Sequence, residues 1–179
     1  MAFLAPISTI PAPSGALRAT ARIVRAPVCA DLLAALGAHY ARLDDGARRL
    51  RFHAAVSSSA AQRWALRENP DAVVGLRDAA GVLRGAATLY IDPAPGGAGP
   101  AAGEIALSVE APWRGTGHGL ALACAIRDDA RMRGVACLRA ATEDENCAML
   151  ALVRRLGGLV PGGPGPDRTC RIGMSAPAA

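Results

Sequence analysis

Residues 104–134, EIALSVEAPWRGTGHGLALACAIRDDARMRG, constrain the chain more than any other stretch. They read as a strand, a glycine-punctuated turn and a helix in immediate succession. Ile105, Leu107 and Val109 alternate with Glu104, Ala106 and Ser108, the period of two that a half-buried strand shows. Gly115, Gly117 and Gly119 follow, and then a helix to about Arg133, with Asp129 four residues before Arg133 as a supporting pair and Gly134 as its stop. Glycines at a strand-to-helix junction let the backbone approach a ligand closely. The helix N-terminus offers unpaired N–H groups and a positive dipole end, and that combination suits a pyrophosphate. The loop is not a Walker A loop, having no GKS or GKT. Nor is it a dinucleotide fingerprint, because the strand comes late in the chain and the GxGxxG spacing is missing.

The remaining segments extend the same alternation. Leu17–Arg25 has a strand pattern. Ala30–Leu43 sets Leu32, Leu33, Leu36 and Tyr40 on one helical face, and Asp45–Phe52 is a second helical stretch. Ser57–Ser59 offer N-caps to a short third helix. Two strands, Ala72–Arg77 and Leu83–Ile91, are joined by the turn DAAG, and Pro93–Gly103 reads as a loop. Val135–Ala141 is a strand and Glu145–Leu156 a helix; a glycine- and proline-rich loop leads to a last strand, RTCRIGM. Strands alternating with helices argue for an α/β chain with some parallel pairing, and the early hairpin makes the sheet mixed. Residues 1–16, rich in Pro, Ala and Ser, read as a loose lead-in, and 17–175 as a single domain.

Composition narrows the function classes. A chain of 179 residues with 51% hydrophobic and 20% charged residues has room for one core. Aromatics are only 3% and Ala is about a quarter, so the core is built from small aliphatic side chains, and stacking platforms for single-stranded nucleic acid are not expected. All 20 basic side chains are Arg, and none lies in a long basic tract; the net charge of +5 therefore favours a small anionic ligand over a nucleic-acid footprint. Without Lys, no side-chain amine of this chain can be acylated. Cys29, Cys124, Cys137, Cys147 and Cys170 are odd in number and form no CxxC pair, which fits reduced thiols in a cytoplasmic protein and no metal site. The opening segment lacks the basic region of a signal peptide, and charges interrupt every apolar run, so no membrane partner is expected.

The central stretch resembles the GNAT superfamily of acyl-CoA-dependent N-acyltransferases. The family's motif, Arg or Gln, two residues, Gly, one residue, Gly or Ala, is matched by Arg114, Gly117 and Gly119. Leu107-Ser108-Val109 followed by Ala111-Pro112-Trp113 is similar to its strand and lead-in. Asn146 through Gly157-Gly158 is similar to its Asn-containing helix ending in Gly-Phe. The resemblance runs from Arg18 to Met174 and is strongest from Glu104 to Gly158. It implies a central mixed sheet of about six or seven strands flanked by about four helices, with acetyl-CoA as co-substrate, no metal and an amine acceptor.

The resemblance also implies roles. Backbone N–H groups of Arg114, Gly115, Thr116, Gly117, His118, Gly119 and Leu120 would hold the CoA pyrophosphate. Backbone groups of Leu107 and Val109, on a strand splayed from its neighbour, would pair with the pantetheine arm and polarise the thioester carbonyl. Asn146 would bond the pantetheine region. Glu104 matches the acidic residue that many members use as general base, and partial burial would raise its pKa toward working pH; Glu110 is the weaker candidate. The family's acid Tyr falls at Val153, and its terminal Phe at Gly158.

Other residues take plainer expectations. His118 reads as solvent-facing, Cys147 as a small packed thiol rather than an acyl carrier, and Cys124, Cys137, Trp64 and Trp113 as packing residues. Arg48, Arg49 and Arg51 read as a solvated face. The segment LDDGARRLRFHAAV is similar to a pattern in GNAT domains that acetylate protein lysines, which makes a protein lysine one candidate acceptor beside small amines. The changes at Val153 and Gly158 motivate an alternative, a catalytically weak acyl-CoA-binding regulatory module. Monomer and homodimer both stay open.

Overall fold

The structure, a computed structural model, describes residues 20–92, 101–162 and 167–174. Its order is β1 (Ala21–Ala26), α1 (Ala30–Arg42), α2 (Asp45–Phe52), α3 (Ser58–Ala65), β2 (Ala72–Asp78), β3 (Leu83–Asp92), β4 (Ala101–Val109), a 3-10 turn (Ala111–Trp113), α4 (His118–Met132), β5 (Val135–Glu143), α5 (Cys147–Arg155) and β6 (Asp167–Gly173). The strands form one six-stranded sheet in sequence order. Each neighbouring pair is antiparallel except β4 and β5, which are parallel because α4 carries the chain back across the sheet between them.

Alternation sorts the strands' side chains between two layers. Ala87 and Leu89 of β3 face α4 and α5 in a core with Leu122, Ile126, Leu138, Met149 and Ile172. Ala86 faces the opposite layer, and a register shift between Gly85 and Leu83 turns Leu83 to that layer as well, with Leu36 and Tyr40 of α1, Leu43 after it, and Ala61 and Ala65 of α3. The local signals work as read: Asp44 accepts from Ala47 N to cap α2, and Ser57 accepts from Ala60 N to cap α3. Among the described residues no helix is long and apolar enough to cross a membrane.

The feature that positions the site is the register between β4 and β5. Pairing runs only from Ala101–Val135 to Glu104–Arg139. Beyond it β4 stays paired with β3 as far as Gly85–Val109, and β5 stays paired with β6 as far as Glu143–Asp167. The two central strands thus part into a V.

Several boundaries differ from expectation. The first strand begins at Ala21; the lead-in 1–16 and residues 17–19 lie outside the described residues, as do 93–100 of the expected loop. Ala101–Gly103, read as loop, belong to β4. Gly103 is a packing glycine there, since a Cβ would come within 3.0 Å of Leu89 Cδ1 and 3.1 Å of Leu138 Cδ2. The last helix starts at Cys147 rather than Glu145, because the Asn146 side chain accepts from Met149 N and caps it.

Candidate active site

The glycine loop closes as its spacing suggests. Gly115 and Gly117 have φ of 71° and 86°, in the left-handed region that an L side chain resists. Open space lies in front of both, and a Cβ at Gly119 would meet only Leu152 Cδ1, at 3.7 Å. Gly117 is the N-cap of α4 and has no side chain to satisfy the helix end. The first intrahelical bond runs from Ala121 N to Gly117 O, so the N–H groups of His118, Gly119 and Leu120 have no acceptor within the helix. His118 and Gly119 therefore lie in the first turn of α4. His118 is also not a free solvent-facing side chain: its Nδ1 lies 2.6 Å from Thr116 Oγ1 and 3.3 Å from Trp113 O, and its ring packs 5.9 Å from the Trp113 ring. The pair pins the loop from inside.

The backbone of β4 supplies the second half of the cleft. Glu110 N donates to Arg84 O on the β3 side. In an antiparallel pair these bonds recur at alternate residues, so Ser108 and Ala106 also turn their backbone groups to β3, while Leu107 and Val109 turn theirs to the other edge. That edge is where β5 has departed. The resulting cleft, about 350 Å³, is walled by Leu107 and Val109, the glycine loop, and Ala148, Leu152 and Arg155 of α5. Arg114 is folded across its mouth, with Nε donating to Val109 O (2.8 Å) and Nη2 to Asp44 Oδ2 (2.7 Å). Val109 O therefore already has a donor. The sequence pattern sets Leu152 on the buried face of this helix and gives no site role to Ala148 or Arg155, although 148, 152 and 155 share one helical face.

A second, smaller cavity opens on the α2–α3 side of β4, lined by Phe52, His53, Trp64, Glu104 and Ala106 among others. Leu107, Asn146 and Met149 line both cavities, so the two meet at the point of the V. Glu104 is exposed here, not partly buried as expected: the pleat turns its side chain out of the layer and into this open cavity.

Glu110, by contrast, is buried and held. Its Oε1 accepts from Arg42 Nε (2.9 Å) and faces His39 Nδ1 (3.2 Å), and its Oε2 accepts from Arg84 Nη1 (3.1 Å). Burial pushes its carboxyl up, but bonds from His39 and Arg84 and the charge of Arg42 outweigh this and leave it below the ordinary value. His39 is 0% exposed, and burial lowers its pKa despite the bond to Glu110. It is therefore neutral, with Nδ1–H donating to Glu110 and Nε2 accepting from Ser108 Oγ (2.9 Å). Serine, imidazole and carboxylate stand in line, yet all three are buried, and two arginines occupy the carboxylate. The array braces α1 against β4 and removes Glu110 as a base.

Three further expectations change. Arg48 and Arg51 are not a solvated face: Arg48 Nε donates to Val56 O (3.0 Å), and Arg51 Nη2 donates to Tyr40 Oη (2.8 Å) and Glu68 Oε1 (3.0 Å). Cys147 is exposed rather than packed, and Trp64 is 55% exposed. Val153 is fully buried in the core, so position 153 turns away from the cleft that Leu152 lines. Gly158 has no room for the family's Phe, since a Cβ there would lie 2.7 Å from both Ile172 Cγ1 and Val153 Cγ1.

A parallel strand pair that splays beside a glycine-built helix N-terminus defines the class: an α/β protein with an open strand edge and a helix end suited to phosphate at one cleft. Residues 33–158 match the family described as Acetyltransferase (GNAT) family, and the chain belongs to it: it is an acetyl-CoA-dependent N-acetyltransferase. Solved structures agree in fold. The GNAT domain of S. lividans PAT has 20% identity and a TM-score of 0.67 over 87% of this chain and 91% of that one. The yncA protein of Salmonella typhimurium, solved with its cofactor acetyl-CoA, has 21% identity and a TM-score of 0.62 over 89% and 97%. Ribosomal-protein-alanine N-acetyltransferase of Brucella melitensis has 24% identity and a TM-score of 0.62 over 85% and 99%. A comparison with curated protein sequences gives no match. The residues present fit the co-substrate: unpartnered helix N–H groups suit its phosphates, and the open edge of β4 suits its amide arm.

Proposed function

We propose that the protein transfers the acetyl group to a primary amine by direct attack in a ternary complex, with Glu104 as general base. The observation that carries this is the meeting of the two cavities at Leu107, Asn146 and Met149, with the exposed Glu104 carboxylate in the smaller one. The thioester supplies an activated acyl carbon. The chain's part is to hold it and to move a proton. N–H groups of His118, Gly119 and Leu120 bind phosphate at the positive end of α4. The backbone of Leu107, aimed at the V, pairs with the arm and offers an N–H to the carbonyl oxygen as charge develops there. Asn146 has its Oδ1 occupied by Met149 N, which leaves its amide nitrogen for the ligand.

An amine near pKa ~10.4 is mostly protonated at neutral pH and cannot attack until it loses a proton. Glu104, acting directly or through water, receives it; as the amide C–N bond forms, the thioester C–S bond breaks and CoA leaves as its thiolate. Glu104→Gln keeps shape and removes the base. Turnover in a CoA-release assay should fall about 10²- to 10⁴-fold, with the acetyl-CoA Kd within about twofold of wild type. An unchanged kcat removes Glu104 from the mechanism. One observation favours a second reading, a donor-binding module with little chemistry: among the described residues lining the donor cleft none is a tyrosine. Donor binding without amine-dependent CoA release would support it.

A further inference from the structure

Glu104 stands apart from the other carboxylates of this arginine-rich chain. Among the described acidic side chains, all but Glu104 and Asp31 have an ion-pair or hydrogen-bond partner. Asp31 lies in the first turn of α1, where the helix dipole favours it. Glu104 lies open in the smaller cavity with nothing to neutralise it.

The basic side chains around it are already occupied: Arg139, its register partner on β5, pairs with Asp92. The Arg51 guanidinium is held by Glu68 and Tyr40, and His53 Nδ1 lies 3.7 Å from Glu143 Oε1, which belongs to a carboxylate that also pairs with Arg49. The cavity therefore carries one uncompensated negative charge. Its wall is aromatic. Trp64, far more exposed than an indole usually is, rests against Phe52 with ring centroids 5.8 Å apart. Phe52 in turn meets the buried Tyr40 edge-on at 5.3 Å, and Arg51 lies over both rings at 5.0 and 5.2 Å. These mutually tilted rings put an apolar wall at the cavity in advance of any ligand.

We propose that Trp64, backed by Phe52, determines acceptor specificity, selecting a primary ammonium carried on an apolar alkyl or arylalkyl chain and rejecting amines that bear a carboxylate or phosphate nearby. The ammonium is drawn to Glu104 and the carbon chain lies against the rings, where apolar contact and cation–π attraction act together. An anionic substituent would face Glu104 with no free cation in the cavity to receive it. The inference rests on the amine-transfer reading for the chemistry, but not for the binding.

The test uses the full chain with saturating acetyl-CoA and three amines: phenethylamine, ethanolamine and γ-aminobutyrate. Phenethylamine should exceed the other two in kcat/KM by about tenfold or more. Trp64→Ala should erase most of that preference, chiefly through KM, and Trp64→Phe should restore it, with the acetyl-CoA Kd unchanged throughout. A preference that survives in Trp64→Ala, or γ-aminobutyrate as the best acceptor, overturns the proposal. Calorimetric titration of the same amines into CoA-loaded protein reads the cavity without chemistry. Trp64-dependent binding of phenethylamine with no turnover upholds this proposal while amine transfer fails. Binding indifferent to Trp64, or no binding and no turnover with any of the amines, overturns it.

Discussion

Replacing Gly117 with alanine tests the loop, because the strain it introduces can be worked out and has few places to go. Gly117 sits at φ 86°, ψ −8°, and nothing lies within 4 Å of a Cβ built on it, so the whole cost is backbone. An L-residue held there costs about 1–2 kcal/mol. Against a total stability of about 5–15 kcal/mol the variant stays folded. The strain then appears in one of two ways. If the loop keeps its shape, the melting temperature falls by about 2–8 °C, at roughly 2–4 °C per kcal/mol for a chain of this size, and donor binding is retained. If the loop relaxes to relieve the strain, stability recovers and the acetyl-CoA Kd weakens by about 5- to 30-fold, since each 1.4 kcal/mol is tenfold. Gly119→Ala is the internal control: its φ is not in the left-handed region and its nearest neighbour would be Leu152 Cδ1 at 3.7 Å. Within a helix alanine is favoured over glycine by up to about 1 kcal/mol, so that variant should melt no lower than wild type. Scanning calorimetry with acetyl-CoA titration reads both quantities. If Gly117→Ala changes neither melting nor affinity, the loop geometry and the phosphate role built on it are wrong.

The remaining predictions concern the core and the buried imidazole. His39 titrates near 6.5 when unfolded and is held lower in the fold by burial, so the unfolded chain binds more protons below that pH. Its contribution is complete above pH 6.5 and is lost as pH falls through that value, at up to about 1.4 kcal/mol per pH unit. Urea titrations between pH 5 and 7 should show this slope, and His39→Gln should flatten it. Glu110, depressed from its ordinary 4.5, adds a similar loss only below that pH. Gly158→Ala should destabilise by about 1–3 kcal/mol, because the new methyl meets Ile172, Val153 and the Arg171 carbonyl at 2.7–2.9 Å. Val153→Tyr, which installs the family's phenol, should destabilise without raising kcat, because position 153 faces the core; a faster variant would refute that placement.

What was legible in the sequence follows from the range of the interactions. The β4–loop–α4 unit is written in local rules: a period of two, glycines at positive φ, and a helix that begins where the glycines end. Those rules gave the α2 bounds and brought the strand, Gly117 and Asn146 into one order. The sheet came through for the same reason, apart from Gly103, whose glycine-rich neighbourhood masked a packing role between Leu89 and Leu138. Residues joined over long separations were not legible. His39 meets Glu110 and Ser108 across 71 and 69 residues, and nothing near His39 announces it. Arg48 and Arg51 look like a solvated cluster until Val56, Tyr40 and Glu68 fold against them. Trp64 reads as a packing residue and does pack on Phe52, but only the position of α3 at the cavity leaves its other face open.

The short register between β4 and β5 also has a mechanical consequence. Only the stretch from Ala101 to Glu104 ties the four-stranded leaf β1–β4 to the two-stranded leaf β5–β6, and α4 and α5 span the seam from one face. Separation along that seam breaks fewer cross-strand pairings than separation anywhere else in the sheet, so the small leaf is held on chiefly by the core that Leu138 and Ile172 share with α4 and α5. On the proposed reading, a donor laid against Leu107 turns the seam into a continuous ladder and holds the leaves together, in proportion to how far its concentration exceeds its Kd. The persistence of the folded protein against proteolysis then rises and falls with the supply of the molecule it consumes.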